Sequence, residues 1–291
     1  MSSYPIETLD GANAVAYEQL RRELTRYEKL VVAFSGGADS ALLAYVATAE
    51  LGSDQVLCAT AISPSLAEAD RKETAVLAAE WGLRYEPVTT NELENPAYQA
   101  NGLDRCYYCK AELMEVLVPI AHQEAATIAL GVNVDDLGDY RPGQAAAKEQ
   151  GAIFPLLEAG LTKESVRSLS RALGLRTWDK PANACLSSRI PQGTPVTIGL
   201  LTKVDRSEQA LHDLGFHQLR VRHYGDTCRV ELADEELPGA IERRVDIVSA
   251  LRAVGYRYVT LDLDGFRSGN LVQAALRDAA TNDAERAKTQ R

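Results

Sequence analysis

The chain contains no run of about 18 apolar residues, so no membrane-spanning helix is expected. Its first residues, MSSYPIETLD, lack the basic region followed by an apolar stretch that marks a secretory leader, and the expected compartment is the cytoplasm. Positive charge is in short supply. With 31 Lys and Arg against 41 Asp and Glu, the net charge is −10, which argues against a broad nucleic-acid surface but leaves local basic clusters open. Cysteine is scarce and odd in number. Five thiols without a leader do not make a disulfide framework; they point to reactive thiols, metal ligands or core packing. There is no G-x-x-x-x-G-K-[ST] loop, no G-x-G-x-x-G fingerprint and no internal repeat. What remains is an ordinary globular mixture, 46% hydrophobic and 25% charged, whose 291 residues suffice for one large domain or two ordinary ones.

The most informative segment present is Ser35-Gly36-Gly37-Ala38-Asp39-Ser40, directly after the apolar run Leu30-Val31-Val32-Ala33-Phe34. A buried strand ends, two glycines let the backbone turn and approach a ligand closely, and a helix begins. Backbone N–H groups and hydroxyls then converge on one spot at a helix N-terminus, which is an anion site. Ser35 and Ser40 can donate hydrogen bonds, and Asp39 can hold Mg²⁺ against phosphate. The string resembles the PP-loop of the ATP pyrophosphatases, a group that includes GMP, NAD and asparagine synthetases and tRNA thiolases. That resemblance implies ATP as cosubstrate with Mg²⁺ on Asp39, and cleavage between the α- and β-phosphates.

Strand and helix alternate through residues 11–173, the pattern of a parallel sheet with helices on both faces. Strands are expected at Leu30–Phe34, Gln55–Ile62, Arg84–Val88 and Ala126–Leu130, and helices at 11–28, Ala41–Leu51, Ser65–Trp81, Tyr107–Gln123 and Thr162–Leu173. Ligands bind at the carboxyl ends of such strands. Three segments therefore meet at one rim: Ser35–Ser40, Ala61–Ser65 with Ile62, and Gly131-Val132-Asn133-Val134-Asp135-Asp136. Gly131, Asn133 and Ile62 join the loop as expected nucleotide contacts. Pro191-Gln192-Gly193-Thr194-Pro195 reads as a linker. Beyond it a small α+β unit is expected: a helix at Leu200–Leu214, strands at Gln218–His223 and Thr227–Leu232, a helix at Ala240–Val254 and a strand at Tyr256–Leu263. The expected domains are 1–192 and 196–275, with a disordered tail at 276–291.

Cys106-Tyr107-Tyr108-Cys109 is a C-x-x-C that can be a redox dithiol, half of a zinc site or part of an iron–sulfur site. Cys58 and Cys228 fall inside expected strands and read as structural. Cys185 sits in a polar, loop-like context. None of His122, His212, His217 or His223 has zinc-ligand spacing. Three thiolates without a fourth ligand suit a [4Fe–4S] cluster with one open iron, which can hold an exogenous sulfide.

Together, the PP-loop, Arg105-Cys-Tyr-Tyr-Cys-Lys110, Gly131–Gly143 and Pro181–Pro191 resemble the LarE family, over roughly residues 11–275. LarE proteins are ATP-dependent sulfur transferases of nickel-pincer nucleotide synthesis. The resemblance implies adenylation of the carboxylates of pyridinium-3,5-biscarboxylic acid mononucleotide, release of pyrophosphate and AMP, and conversion to thiocarboxylates. One form of the family gives up the sulfur of a single cysteine at the position of Cys185. The other carries a [4Fe–4S] cluster on three cysteines, here Cys106, Cys109 and Cys185. This chain has all three, which favours the cluster and departs from the single-cysteine pattern. Relatives suggest a homo-oligomer, a hexamer.

An anionic nucleotide calls for cations. Lys110 and Arg141 are placed to neutralise the α-phosphate. Ser188 and Arg189 follow Cys185 closely enough to line one pocket with it. Arg220 and Arg222 share a strand face, Arg267 lies in a glycine-flanked loop, and Glu208 completes the expected substrate contacts. The expected partner is a small nucleotide, with no nucleic acid and no membrane. Three rival readings are a PP-loop tRNA thiolase, which the acidic charge disfavours, an ATP-responsive regulator without turnover, and an amide-forming synthetase, for which no ammonia-supplying domain is evident.

Overall fold

A computed structural model describes residues 9–138, 142–181 and 184–267. Arg141 and the expected tail at 276–291 lie outside the described residues. In chain order the elements are α1 (Gly11–Leu24), β1 (Leu30–Ala33), α2 (Ala38–Leu51), β2 (Val56–Ile62), α3 (Glu68–Glu80), β3 (Arg84–Thr89), α4 (Pro96–Gln99), α5 (Arg105–Glu124), β4 (Thr127–Leu130), α6 (Pro142–Glu149), α7 (Pro155–Glu158), α8 (Lys163–Ala172), α9 (Ile198–Asp213), β5 (Leu219–Tyr224), β6 (Thr227–Leu232), α10 (Leu237–Glu242), α11 (Arg244–Val254) and β7 (Tyr258–Leu261).

These elements form two compact units. One runs to Glu92 and resumes from Cys106 to Asn183; the other joins Leu93–Arg105 to the chain from Ala184 onward. The division thus falls ahead of the Pro191–Pro195 segment, and residues 93–105 group with the later part of the chain. Hydrogen bonds explain that grouping. Asn101, fully buried with φ at +56°, donates Nδ2 to the carbonyls of Pro191 (2.9 Å) and Thr194 (3.0 Å). Arg105 Nη1 donates to the carbonyl of Ser187 at 2.9 Å, and Tyr98 shares a hydroxyl contact of 2.6 Å with Ser187.

In the first unit β3-β2-β1-β4 form a parallel sheet. Period-two alternation sends Leu30 and Val32 of β1 into one apolar core and Val31 into the other, so the strand is buried on both faces. Each such side chain contributes about 1.5–3 kcal/mol on burial. Helix α2 is buried from Ser40 to Thr48, which is why its sequence is apolar all round rather than striped. The chain moves outward from β1 through β2 to β3, then returns to the other side of β1 with β4. The loops after β1 and β4 therefore flank the point where strand order reverses, and a crevice opens at such a point.

The structure moves several expected boundaries. Helix α2 begins at Ala38, not Ala41, which puts Asp39 and Ser40 in its first turn. Helix α5 begins at Arg105, ahead of both C-x-x-C thiols. Helices α4 and α7 went unread because four residues are too few to show a period, although each has proline in its first turn. In the second unit, β5 and β6 pair antiparallel through Leu219↔Leu232 and Arg222↔Arg229, and β7 runs parallel to β6. Leu211, Val221, Val230, Leu232, Ile247 and Leu251 form its core. The helix expected at Ala240–Val254 is two, α10 and α11, broken at Arg243 (φ −97°, ψ 20°), whose guanidinium turns to the carbonyl of Leu214. The last strand starts late, at Tyr258, because the amides of Arg257 and Tyr258 both donate to the carbonyl of Asp226 in the β5–β6 turn.

Candidate functional site

The loop between β1 and α2 is held from within. Ser40 Oγ lies 3.0 Å from Ser35 Oγ and donates to the carbonyl of Gly37 at 3.1 Å, while the amide of Ser35 donates to Ser40 Oγ at 3.2 Å. Gly36 has φ at +69°, and a Cβ there would lie 2.8 Å from Thr74 Cγ2. Gly37 is the N-cap of α2 and has ordinary extended backbone angles. Its missing side chain is not needed by the fold, and leaves the helix N-terminus open to an anion.

The loop after β4 closes on this N-terminus. A Cβ on Gly131 would stand 2.7 Å from the amide nitrogen of Ser40 and 2.9 Å from the carbonyl carbon of Asp39. No residue but glycine fits there without moving backbone. The approach lets Asn133 Nδ2 donate to Asp39 Oδ1 at 2.8 Å. Asn133 is itself held: its amide donates to Asp136 Oδ2 (3.2 Å), and its Oδ1 accepts from the amide of Asp135 (3.0 Å). Burial raises the pKa of Asp39, and the Asp136 carboxylate adds to the rise; the Asn133 bond and the charge of Lys163 work against it. A half-buried carboxylate at a helix N-terminus, held by the Asn133 amide, is a magnesium ligand type beside a phosphate-binding loop. Ile62 ends β2 on the same sheet edge, its carbonyl accepting from the amide of Thr90 at 3.2 Å.

Sequence reading assigned no role to Lys180, whose Nζ lies 3.3 Å from the carbonyl of Gly36, 3.5 Å from Asp70 Oδ1 and 2.5 Å from Glu73 Oε2. It ties the loop to α3. Its partners lie far along the chain. Asp136 is expected at the rim with its segment, and the structure adds its bond to the amide of Asn133.

The five thiols sort by accessibility. Cys58 and Cys228 are buried, and burial pushes their pKa values up to about 12 and about 11. Cys106 is exposed, Cys109 and Cys185 are partly so, and none of the three forms a disulfide. Cys106 and Cys109 stand three apart on α5, on one side of that helix. Gly143 of α6 packs on this turn, where a Cβ would come within 2.8 Å of the carbonyl of Cys106 and 3.2 Å of Lys110 Cβ. Accessible thiols are, in kind, the donors that an iron–sulfur cluster takes. Among the described residues no group of three His, Cys, Asp or Glu side chains stands assembled for a metal ion.

In the second unit the arginines expected on a strand face are deeply buried. Arg222 forms a two-pronged pair with Glu231 (Nε–Oε1 3.0 Å, Nη2–Oε2 2.9 Å) and donates Nη1 to the carbonyl of Ser188 at 2.8 Å. Arg189 pairs in the same way with Glu208 (2.9 and 3.1 Å), and its Nη1 reaches Ser188 Oγ and the carbonyls of Cys185 and Ala184. Glu208 is therefore a buried partner rather than a solvated helix-surface residue; its Oε1 also accepts from the amide of Val221 at 3.0 Å. Arg220 lies over the ring of Phe266, 4.7 Å from its centroid. Its pKa is pushed down to about 10, first by burial and then by the charges of Arg189 and Arg222. Arg189 and Arg222 are thus matched by Glu208 and Glu231, and Arg229 shares Glu231 at 3.0 Å. Arg267 stands apart from this burial; it is exposed and pairs with Asp264 at 2.5 Å. Glu231, fully buried on β6, went unread in the sequence, although its place opposite Arg220 follows once the strands are paired.

A parallel sheet that carries S-G-G-x-D-S after its first strand, with a second strand end closed upon it, is the PP-loop fold of ATP-using enzymes. The family model for NAD synthase matches residues 15–104. The chain is 44% identical over 258 residues to an uncharacterized protein of Synechocystis, covering 87% of this chain and 96% of that one. It is 36% identical over 245 residues to the pyridinium-3,5-bisthiocarboxylic acid mononucleotide synthase of Lactiplantibacillus plantarum, covering 84% of this chain and 89% of that enzyme. An uncharacterized protein of Methanocaldococcus jannaschii is 25% identical over 248 residues. The class is that of the adenine-nucleotide-using sulfurtransferases. Within it, the chain belongs to the LarE family, to which the Lactiplantibacillus synthase belongs. No described helix is long and apolar enough to cross a membrane.

Proposed function

We propose that the protein inserts sulfur into the carboxylates of pyridinium-3,5-biscarboxylic acid mononucleotide, at the expense of ATP. The observation that carries this reading is the intact nucleotide loop, with Asp39 held by Asn133, in a chain akin to the Lactiplantibacillus synthase along most of its length. A carboxylate is a poor electrophile, and adenylation supplies a leaving group. Its oxygen attacks the α-phosphorus of ATP, the bond to the β-phosphate bridge breaks, and pyrophosphate departs with the electron pair. Sulfide then adds to the acyl carbon and AMP leaves, so that a C–S bond replaces a C–O bond.

The α2 N-terminus and Ser35, Gly36, Gly37 and Ser40 receive the phosphates, and Asp39 holds Mg²⁺. Lys110 neutralises charge on the α-phosphate. In the second unit, Ser188, Arg189, Arg220 and Arg222 receive the anionic groups of the substrate, Glu208 orients Arg189, and Arg267 is an outer cation. Cys106, Cys109 and Cys185 would hold a [4Fe–4S] cluster, whose open iron supplies a place for sulfide. The enzyme works as a homo-oligomer on a small nucleotide.

The test is an anaerobic incubation with ATP, Mg²⁺, substrate and sulfide, followed by mass spectrometry. AMP and pyrophosphate, with a substrate mass raised by exchange of oxygen for sulfur, are expected. ADP in place of AMP, or AMP without sulfur in the product, would refute the reading.

A further inference from the structure

We propose that the first unit carries a second anion site, a cleft along α8 that takes up the pyrophosphate released from ATP. The cleft has a volume of about 570 Å³, and Lys163, Arg167, Arg171, Trp178, Asp135 and Glu164 line it. The three cations are spaced four apart, so the helix stacks them on one side. Like charges at that spacing repel, and none of the three side chains has a hydrogen-bond or ion-pair partner among the described residues. Elsewhere in this acidic chain arginines such as Arg21, Arg71, Arg176, Arg189 and Arg222 are paired with glutamates.

Arg167 is the most telling member. Its Nε is buried and makes no hydrogen bond among the described residues. An unmet donor on a charged group is costly, and Arg167 also lines the cleft, where an anion can pair with its guanidinium. Arg171 lies across Trp178, its guanidinium carbon 4.8 Å from the ring centroid, so it is positioned by stacking rather than by a carboxylate.

Asp135, which lines the cleft, is linked to the nucleotide loop by hydrogen bonds. Asp135 Oδ2 accepts from the amide of Lys163 at 2.6 Å; the amide of Asp135 donates to Asn133, and Asn133 donates to Asp39. The side-chain charge of Lys163 is felt at Asp39. Asp135 and Glu164 oppose an anion, so three cations against two carboxylates leave a single positive charge in excess. Modest affinity follows, which suits a product that must leave.

The choice of pyrophosphate rests on the adenylating reaction proposed above, but the site can be tested without turnover. Inorganic pyrophosphate is titrated calorimetrically into the full chain, first alone and then with ATP and Mg²⁺ saturating the loop and no carboxylate substrate present. A pyrophosphate site should persist with ATP bound. It should weaken about tenfold in Arg167→Gln and in Arg171→Gln, and weaken further as sodium chloride is raised. ATP affinity should stay unchanged in both variants. Loss of all pyrophosphate binding when ATP is bound, or equal binding in wild type and both variants, would overturn the proposal. Equal affinity for inorganic phosphate or sulfate would overturn the assignment to a diphosphate. Failure here leaves AMP formation intact, whereas failure of the adenylating reading shows in the products of turnover.

Discussion

Replacing Gly131 by alanine should damage the nucleotide site through backbone sterics alone. The new Cβ would lie 2.7 Å from Ser40 N, 2.9 Å from Asp39 C and 3.0 Å from Ser40 Cα. All three are backbone atoms in the first turn of a helix that is buried from Ser40 to Thr48, so none can swing aside. The end of β4 must retreat, yet its register to β1, with Ala33 opposite Leu130, resists that movement. Overpacking of this kind costs about 1–3 kcal/mol, or several degrees of melting temperature at roughly 2–4 °C per kcal/mol for a chain of this size. Retreat also lengthens the 2.8 Å bond from Asn133 to Asp39, so affinity for ATP with Mg²⁺ should fall by more than the stability loss explains. Gly37→Ala is the control. Its Cβ would meet only Ser35 Oγ, at 3.6 Å, and its φ of −78° suits any residue. It should leave stability within about 1 kcal/mol. Urea unfolding and calorimetric titration of ATP on both variants decide the matter. Wild-type stability and ATP affinity in Gly131→Ala would refute the close-approach argument.

Asp39→Asn should stabilise the fold at neutral pH while abolishing binding of ATP with Mg²⁺. The folded pKa of Asp39 is raised by burial, so its ionised form opposes folding above that pKa, and the penalty is relieved as pH falls through it. Metal-dependent ATP binding should accordingly fade at a higher pH than an ordinary aspartate gives; a titration of binding against pH checks this. Glu231→Ala leaves Arg222 buried without its carboxylate and Arg229 without one of its two, and should cost about 3–5 kcal/mol in urea unfolding. In the folded protein stripped of iron with a chelator, iodoacetamide should modify Cys106, Cys109 and Cys185 and spare Cys58 and Cys228 until denaturant is added, as peptide mass mapping would show. Protein purified without oxygen should contain iron and acid-labile sulfide, both lost in Cys106→Ala.

Local chemistry was readable from the chain because the interactions are short in sequence. Strand β1, the glycine turn and the start of α2 follow within a dozen residues of one another, and an unbroken apolar run bounded by Gly36 and Gly37 allows few other structures. The same logic marked Cys58 as core, since it sits inside β2, and the structure buries it. The small helices and the break at Arg243 escaped that logic because one turn has no period, and because the partner of Arg243 is a carbonyl 29 residues away.

Tertiary structure alone decided which distant groups share a hydrogen bond. Asn133 and Asp39 are 94 residues apart, and Lys180 and Gly36 are 144 apart. No residue spacing encodes such pairs; sheet order does, by setting β4 beside β1. The burial of Arg222 and Glu231 is of the same kind. Taken singly, a strand arginine and a strand glutamate read as solvated residues. Paired across β5 and β6, with Ser188 closing the third side, each supplies the charge and hydrogen bonds that make the burial of the other tolerable. Sequence determined the residue types and the local turns, because those depend on neighbours along the chain; the fold determined which charges meet, because that depends on neighbours in space.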